Sequence, residues 1–435
     1  MVMRYRSLLL RGCWGIRDPE RPKLESFDMY VEDGVIREFG RVEADFVLDC
    51  EGMLALPALH NAHTHASMTL FRGHLDLVDL NGFLDRAWPA EAKLTDRDIY
   101  AGALLAAVEM ALGGAASFMD FYMGLEEVAR AAREVGLRAV LAWPVVDPEI
   151  TTQKGDPVEN ARSFIRSVRG DRLVSGAVAP HSVYACSEET LLAAKEVADE
   201  ESVPITMHLC ETRHEVLDWL KEKGKTPVEW LREIGFLGPN LTAAHLVWLR
   251  RRDIALLAEA GVKGVHCPSS NMKLSSGMAP VRELLDAGVT VALGTDGAGS
   301  NNSLSMLTEM RTAALLAPLR RLRPSDLRPE EVLRMATVGS ARAMGLDRVG
   351  KLEEGWRADV LLLDLSAPGM RPLHDPISNL VYAADSRAVK FLFVDGNPVV
   401  AHGRVVTVDL DRVISTFDSA YSSWVSRTFG GGDGA

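Results

Sequence analysis

Leu54-Ala-Leu-Pro-Ala-Leu59 passes through His60 into Asn61-Ala-His-Thr-His-Ala66, and the fold of the whole chain turns on this junction. A strand-length apolar run here delivers two histidines spaced i and i+2. Residues two apart on an extended segment point the same way, so both rings can face one ion. Seven further apolar runs follow, at Ala115–Met119, Leu137–Ala142, Leu173–Ala179, Val203–Met207, Leu241–Ala244, Val262–Val265 and Val289–Gly294. Amphipathic stretches separate them, which is the pattern of βα units around a parallel sheet. Eight such strands predict an α/β chain folded as a (β/α)₈ TIM barrel.

The helix signals agree. Thr95-Asp-Arg-Asp98 is a variant capping box opening Ile99–Leu112, and Gly113-Gly114 closes that helix. Ser187 is placed to cap Glu188–Glu200, and Gly136, Gly261 and Gly288 stand where a helix should end and a strand begin. The last barrel helix is expected over about Pro329–Met344.

Outside the barrel the text reads as short strands and turns. Met29-Tyr-Val, Val35-Ile and Phe46-Val-Leu come before it, and Ala358–Asp364, Val389–Val394 and Val405–Val408 come after. Residues 1–56 and 350–435 are therefore expected to build one composite β-sandwich domain beside a catalytic barrel of residues 57–349. No internal repeat or low-complexity linker interrupts the chain, and the Gly-rich end Gly430-Gly-Gly-Asp-Gly434 is expected to fray.

Composition narrows the function classes. A formal net charge of -12 over 435 residues argues against nucleic acid or an anionic membrane as the main partner. The apolar run Ser7-Leu-Leu-Leu-Arg11 is too short for a secretory core, and no segment approaches the ~20 apolar residues of a membrane span. Cysteines 13, 50, 186, 210 and 267 are odd in number and lack C-x-x-C spacing, so they read as free buried thiols of a cytoplasmic protein.

The chemistry-bearing residues fall at the carboxyl ends of the predicted barrel strands, the face where barrels place their sites. His63 and His65 follow strand one, His181 ends strand four, and His208 ends strand five with Glu211 three residues on. His245, His266 and Asp296 end strands six, seven and eight. Three imidazoles (His63, His65, His208) and the Asp296 carboxylate suit one borderline-soft divalent ion, Zn²⁺ first and Fe²⁺ as the alternative. Such an ion brings a bound water from a pKa of about 15.7 toward roughly 7. Asp296 and His245 are the candidates for handling the water's proton, and Glu211 for carrying one to a substrate ring nitrogen.

Each residue alone has a plainer reading. A histidine at a strand end is usually a hydrogen-bonded, half-buried side chain, and His266 is equally compatible with that role. Asp296 can cap a turn crowded with Gly and Asn. Cys210, two residues from His208, can share its face, but three imidazoles and a carboxylate already fill a four-ligand site. The joint pattern favours a metal centre.

At this point the sequence resembles the amidohydrolase superfamily and, within it, the methylthioadenosine/S-adenosylhomocysteine deaminase branch. The resemblance runs along nearly the whole chain. It rests on Leu59–Gly73, Trp88-Pro-Ala-Glu91, Ala179–Ser187, His208-Leu-Cys-Glu-Thr212, Pro268–Leu274, Ala279-Pro-Val281, Gly294–Ala298, Ser300-Asn-Asn302 and Gly355–Val360. It implies one metal, usually zinc, on His63, His65, His208 and Asp296, with Glu211 and His245 in proton transfer. Glu91 would bind ribose hydroxyls and His181 would contact the nucleoside. The plain alternatives are a solvated helix-start carboxylate and a packed imidazole. The implied reaction is hydrolytic, with metal hydroxide attacking C6 of a 6-aminopurine nucleoside to give the inosine analogue and ammonia. A small-molecule substrate and a homo-oligomer are likewise implied.

Two departures concern the substrate. Phe83 in Asn81-Gly-Phe-Leu84 stands where the family often has Trp, at the substrate side. Ala142-Trp-Pro-Val-Val146 and Thr151–Asp156 hold no Arg, with Lys154 the one cation, so an amino-acid carboxylate would lack a partner. S-Adenosylhomocysteine is therefore expected to be a poorer substrate than methylthioadenosine, 5′-deoxyadenosine or adenosine. The rivals are a free-base aminohydrolase (guanine, 8-oxoguanine), an s-triazine hydrolase or chlorohydrolase, and a catalytically dead binding protein. A dinuclear site is disfavoured because Pro180-His181 replaces the strand-four lysine it would need.

Overall fold

The computed structural model describes residues 5–151 and 153–429, so the Gly-rich end expected to fray lies outside the described residues. Two sheets organise the chain. Eight parallel strands form the first: β6 (Leu59–Thr64), β7 (Ala115–Phe121), β8 (Arg138–Val145), β9 (Val174–Pro180), β10 (Ile205–Leu209), β11 (Leu241–His245), β12 (Lys263–His266) and β13 (Val291–Leu293). Their order follows the sequence from β6 to β13, with helices between them, as a TIM barrel requires. Strands with both faces covered are mostly apolar, and β7 is buried at every position, its Ser117 and Asp120 included.

The second sheet comes from both chain ends. β1 (Ser7–Ile16), β2 (Leu24–Glu32), β3 (Val35–Glu38), β4 (Phe46–Asp49) and β5 (Met53–Pro57) precede the barrel. β14 (Val360–Asp364), β15 (Val389–Val394), β16 (Asn397–Ala401) and β17 (Arg404–Val405) follow it. The order is β17-β16-β15-β14-β5-β1-β2-β3, with β4 paired to β1. Leu10, Met29, Leu362 and Phe393 are among the side chains of its own buried core.

One boundary differs from expectation. The run Leu54–Leu59 is not barrel strand one but the meeting of two strands. Pro57 pairs with Val360 in the second sheet, whereas Leu59 pairs with Ala115 in the barrel. Both sheets bury this segment, so apolarity alone cannot reveal the crossover. Pro57, which has no amide to donate, ends the first of the two strands. His63 consequently lies within a strand, with His65 just beyond it.

The expected helices form over Asp96–Leu112, with its Thr95/Asp98 capping box, and over Glu188–Glu201, capped by Ser187. Gly136, Gly261 and Gly288 all take positive φ. Val405–Val408 contributes only a two-residue strand, whereas Asn397–Ala401 pairs with β15 despite its Asn-Pro start. The helix Leu410–Phe429 has no counterpart in the sequence reading. It is rich in Ser and Thr, which are poor helix formers, and it buries only Val413, Ala420 and Trp424. No helix among the described residues is long and apolar enough to cross a membrane, and all five cysteines are free and buried.

A buried ion cluster fastens the two sheets. Arg138 at the start of β8 reaches Asp359 at 3.2 Å and Asp395 at 2.7 Å, all three side chains being at most 6% exposed. Asp395 also meets Arg172 and Arg357. Removing Arg138 would strand buried carboxylates, so Arg138→Ala should cost about 3–5 kcal/mol in chemical denaturation. Arg172, with its side chain 55% exposed, should cost under about 1 kcal/mol as Arg172→Ala. Equal, small losses for the two would show that the cluster does not fasten the sheets.

Candidate active site

The strand ends bring the expected residues together at the barrel mouth. His65 Nε2 lies 3.1 Å and His63 Nε2 3.5 Å from Asp296 Oδ1. One ring nitrogen from each of His63, His65 and His208 fits within a mutual 4.8 Å, and so do ligand atoms of His63, His245 and Asp296. This spread suits nitrogen and oxygen donors each about 2.0–2.2 Å from a shared ion. His63 provides the test of fit: its ring is fully buried and neither nitrogen has a hydrogen-bond partner. An orphaned buried imidazole carries a desolvation cost that coordination would offset.

The other ligands are aimed by their second nitrogen. His65 Nδ1 bonds the carbonyl of Phe121, and His208 Nδ1 bonds that of His181 at 3.0 Å, which leaves each Nε2 for an ion. Asp296 Oδ2 accepts from Ser270 Oγ at 2.6 Å and Ser300 Oγ at 2.8 Å, turning Oδ1 toward the histidines. Burial holds the pKa of His63 down to about 4, with Asp296 partly opposing it, and holds that of His208 well below its ordinary value. Neutral imidazoles are the form a metal takes. For His65 burial also pulls down, but Asp296 prevails and raises it to about 9.

The acid–base candidates sit against this cluster. Glu211 Oε2 is 3.5 Å from His245 Nε2, and Glu211 Oε1 accepts from Ser276 Oγ at 3.2 Å. Burial raises the Glu211 carboxyl. Asn271 Oδ1, 2.9 Å from His245 Nδ1, sets the tautomer that presents a bare Nε2 to Glu211. The loop beneath is tied by Glu215, whose two oxygens accept from the Cys210 and Glu211 amides at 2.8 Å each. Cys210 itself is fully buried and belongs to none of the ligand groups. His266 is also buried, with both nitrogens unpartnered, and it too lies outside those groups.

A cavity of about 450 Å³ opens from the cluster. Glu91, His181, Phe83 and Glu211 line it, so all the expected substrate-side residues share one space. Glu91 is not a helix-start carboxylate. It ends the helix Leu80–Glu91, is 9% exposed, and accepts from Tyr122 Oη at 2.8 Å. A carboxylate at the negative end of a helix dipole does not stabilise that helix. Burial raises its pKa as well. Trp88, Ile150 and Tyr184 border the cavity with 47%, 53% and 43% exposure, and no Lys or Arg lines it among the described residues.

Ser270, Asn271, Ser276, Ser300, Glu215 and Tyr122 were not singled out from sequence. The first two lie in the stretch Pro268–Leu274 and Ser300 opens Ser300-Asn-Asn302, so a signal existed without a role; Tyr122 gave none. His208→Ala and Asp296→Ala should each lower retained zinc from about one ion per chain, the load of one four-ligand site, to well below it. Cys210→Ser should keep the full load. Elemental analysis of dialysed protein reads all three, and metal loss from the cysteine variant would overturn the ligand set.

The comparisons with known proteins agree with this geometry. Residues 54–399 match the Amidohydrolase family. A 5-methylthioadenosine/S-adenosylhomocysteine deaminase of Pyrococcus furiosus is 44% identical over 90% of this chain and 94% of the relative. A 5′-deoxyadenosine deaminase of Methanosarcina mazei is 40% identical over 94% of this chain and 96% of the relative. Among solved structures, a zinc-bound adenosine deaminase from Xanthomonas campestris superposes with a TM-score of 0.92 at 32% identity, covering 97% of this chain and 98% of that one. A zinc-complexed atrazine chlorohydrolase from Arthrobacter aurescens reaches 0.88 at 27% identity, covering 95% of this chain and all 100% of that one. With the metal-ligand cluster, the barrel and these relatives in agreement, the chain belongs to the amidohydrolase family.

Proposed function

We propose that this enzyme hydrolytically deaminates 6-aminopurine nucleosides, taking 5′-methylthioadenosine, 5′-deoxyadenosine or adenosine to the inosine analogue and ammonia. The observation that carries this is that His65, His208 and Asp296, the Glu211–His245 pair and the buried Glu91 all line one cavity, with His63 fully buried in the same cluster. Deaminases of such nucleosides stand among the relatives above. Residues 57–349 form the catalytic unit in this reading, with 1–56 and 350–435 as the β domain beside it.

His63, His65, His208 and Asp296 would hold a divalent ion, zinc by preference and Fe²⁺ as the alternative. When bound, it acidifies a water from about 15.7 toward neutrality. Asp296, fixed by its two serines, would be the group placed to hold a proton given up by the attacking water. Glu211, its carboxyl pushed up by burial and held by Ser276, delivers a proton to the purine ring nitrogen. His245 Nε2, 3.5 Å from Glu211 Oε2, is placed to accept from that carboxyl while it carries the proton and so to orient it. The proton taken up by Asp296 would pass to the amino group, which leaves as ammonia, and the hydroxyl proton on C6 would return to Glu211 as the carbonyl forms, so substrate plus water balances product plus ammonia. Glu91, presented by Tyr122, binds the ribose diol, and His181 and Phe83 flank the base.

Trp88 and Ile150 on the cavity wall suit a methylthio or deoxy 5′ carbon, and the exposed charge that also lines it, Asp96, is an anion. A homocysteine carboxylate would enter without a cation. The free buried cysteines suit a reducing cytoplasm, and a homo-oligomer is expected from the resemblance to the family.

The rival within the same metal chemistry is hydrolysis of a free base or an s-triazine, a fold-level possibility given the chlorohydrolase likeness. It leaves Glu91 without a task. Ammonia release from adenosine, 5′-deoxyadenosine, methylthioadenosine, S-adenosylhomocysteine, guanine and 8-oxoguanine separates the two. The first three should turn over, with kcat/KM for S-adenosylhomocysteine at least ~10-fold lower, the scale set by an unpaired buried charge. Turnover of free bases alone would overturn the substrate. Glu91→Gln should lower nucleoside kcat/KM by roughly 10²-fold, the scale of a lost charged hydrogen bond, and leave metal content unchanged. Full nucleoside activity in that variant would remove Glu91 from the site.

A further inference from the structure

The helix that carries Phe83 and Glu91 is not part of the barrel. It runs over Leu80–Glu91, after the 3₁₀ turn Ala66–Phe71 that follows the ligand His65, and lies over the barrel mouth without a sheet to hold it. Its anchorage comes from the other end of the chain. Trp424, fully buried on the helix Leu410–Phe429, packs in one apolar cluster with Phe71, Leu75, Phe83, Ala87, Ala90 and Tyr122. Its indole donates to the carbonyl of Ala90 at 3.2 Å, one of the last carbonyls of Leu80–Glu91, which have no partner inside the helix. Its ring centroid is 4.7 Å from that of Phe71.

Polar contacts fix the same docking. Tyr421 Oη and His74 Nε2 are 2.7 Å apart, and Arg97 donates to Ser419 Oγ at 2.6 Å. Lys93, just past the end of the Glu91 helix, donates to the carbonyl of Thr428 at 3.2 Å. Arg427 pairs with Asp98, the buried carboxylate of the Thr95 capping box. The C-terminal helix thus packs chiefly on the helix Asp96–Leu112 and reaches the Glu91 helix at its carboxyl end, through the Trp424 indole on Ala90 and through Lys93 on Thr428.

We propose that the C-terminal helix, through Trp424, is the positioning element for the nucleoside-binding wall, acting separately from the metal centre. Trp424 touches no residue of the metal-ligand set. It shares one buried apolar cluster with Tyr122, which holds the Glu91 carboxylate, and with Phe83, which lines the cavity. Losing it would let the wall shift while the barrel strands that carry His63, His208 and His245 remain tied into their own ladder. Recognition would weaken and the chemical step would survive.

The inference rests on the nucleoside reading, and its test keeps the two apart. In Trp424→Ala, KM for methylthioadenosine should rise at least ~10-fold, within the ~10²-fold that a 1 Å misplacement carries. kcat and the metal content should stay within about 2-fold. Trp424→Phe, which keeps the packing, should restore most of the KM. Amide hydrogen exchange should speed up over residues 80–91 and stay unchanged over 205–209 and 241–245. Tyr421→Ala, a half-buried site, should shift KM in the same direction if Trp424→Ala does not fold. Unchanged exchange over 80–91, or faster exchange there with unchanged KM, would overturn the inference. So would parallel loss of kcat and metal. A wild-type enzyme that turns over no nucleoside would instead overturn the proposed substrate, with the exchange experiment still deciding the role of the helix.

Discussion

The barrel closes where β13 meets β6, and that seam is also where the candidate metal-binding side chains converge. No regular ladder spans it. Side chains do the work instead: Asn61 Oδ1 accepts from the Thr295 amide at 3.0 Å, and Asn61 Nδ2 donates to Thr295 Oγ1 at 2.7 Å. One backbone bond, from the Asp296 amide to the His63 carbonyl at 2.9 Å, joins two of the ligand residues directly. The approach is so close that a Cβ on Gly294 would lie 2.8 Å from His63 Cβ, so only glycine fits. Closure and ligand placement are therefore one event. A shift in the register of β13 against β6 would open the barrel and separate Asp296 from His63 and His65 together.

Strain accompanies this placement. Cys210, His245, Leu246 and Asp296 all take positive φ, at 54°, 75°, 50° and 62°, an uncommon conformation for side-chain-bearing residues. Each costs of order 1–3 kcal/mol and persists only where surrounding contacts over-determine it. Those contacts are visible: Glu215 binds the Cys210 and Glu211 amides, Asn271 holds His245, and Ser270 and Ser300 hold Asp296. Glu309 adds a further tie between the same two loops, accepting from the Ser269 amide at 2.9 Å and from Asn301 Nδ2 at 3.1 Å. The turns that end β10, β11 and β13 are held in conformations they would not choose, and the side chains they aim are those of the metal and acid–base cluster.

The barrel was legible because βα alternation has a period that residue type alone reveals, and the histidines fell at the strand ends. The clustering of H-x-H, His208 and Asp296 at one barrel mouth could be read for the same reason, because these residues are chemically unusual at those positions. What escaped has physical causes. The apolar segment around Leu54–Leu59 is buried in both sheets, so the crossover at Pro57 left no mark in hydrophobicity. Ser270, Ser276, Ser300 and Asn271 act through one short hydrogen bond apiece, which a polar residue in a loop does not announce. The helix Leu410–Phe429 hides because its burial depends on Trp424 meeting residues more than three hundred positions away. Glu91 illustrates the converse. Its sequence context fitted a solvated helix start, and only its place at the buried carboxyl end of a helix shows that stability does not explain it.

The seam and the outer helical layer divide the tasks of the site. A metal, a proton donor and a proton acceptor can displace a substituent from any electron-poor azine, so that cluster by itself selects a reaction and little else. The likeness to both an adenosine deaminase and an atrazine chlorohydrolase, at TM-scores of 0.92 and 0.88, fits a frame that tolerates different leaving groups. Selection must then come from residues that the barrel does not fix. Phe83, Trp88 and Glu91 are supplied by one helix, and Ile150 and Gln153 by the loop after β8. That loop is pinned by Gln153, which accepts from Trp143 Nε1 and donates to the Pro144 carbonyl, both at 2.8 Å. Neither segment contributes to the barrel ladder, so both can change without disturbing closure. A strained, closed seam for chemistry and a separately anchored wall for recognition let substrate range vary while the metal site stays intact.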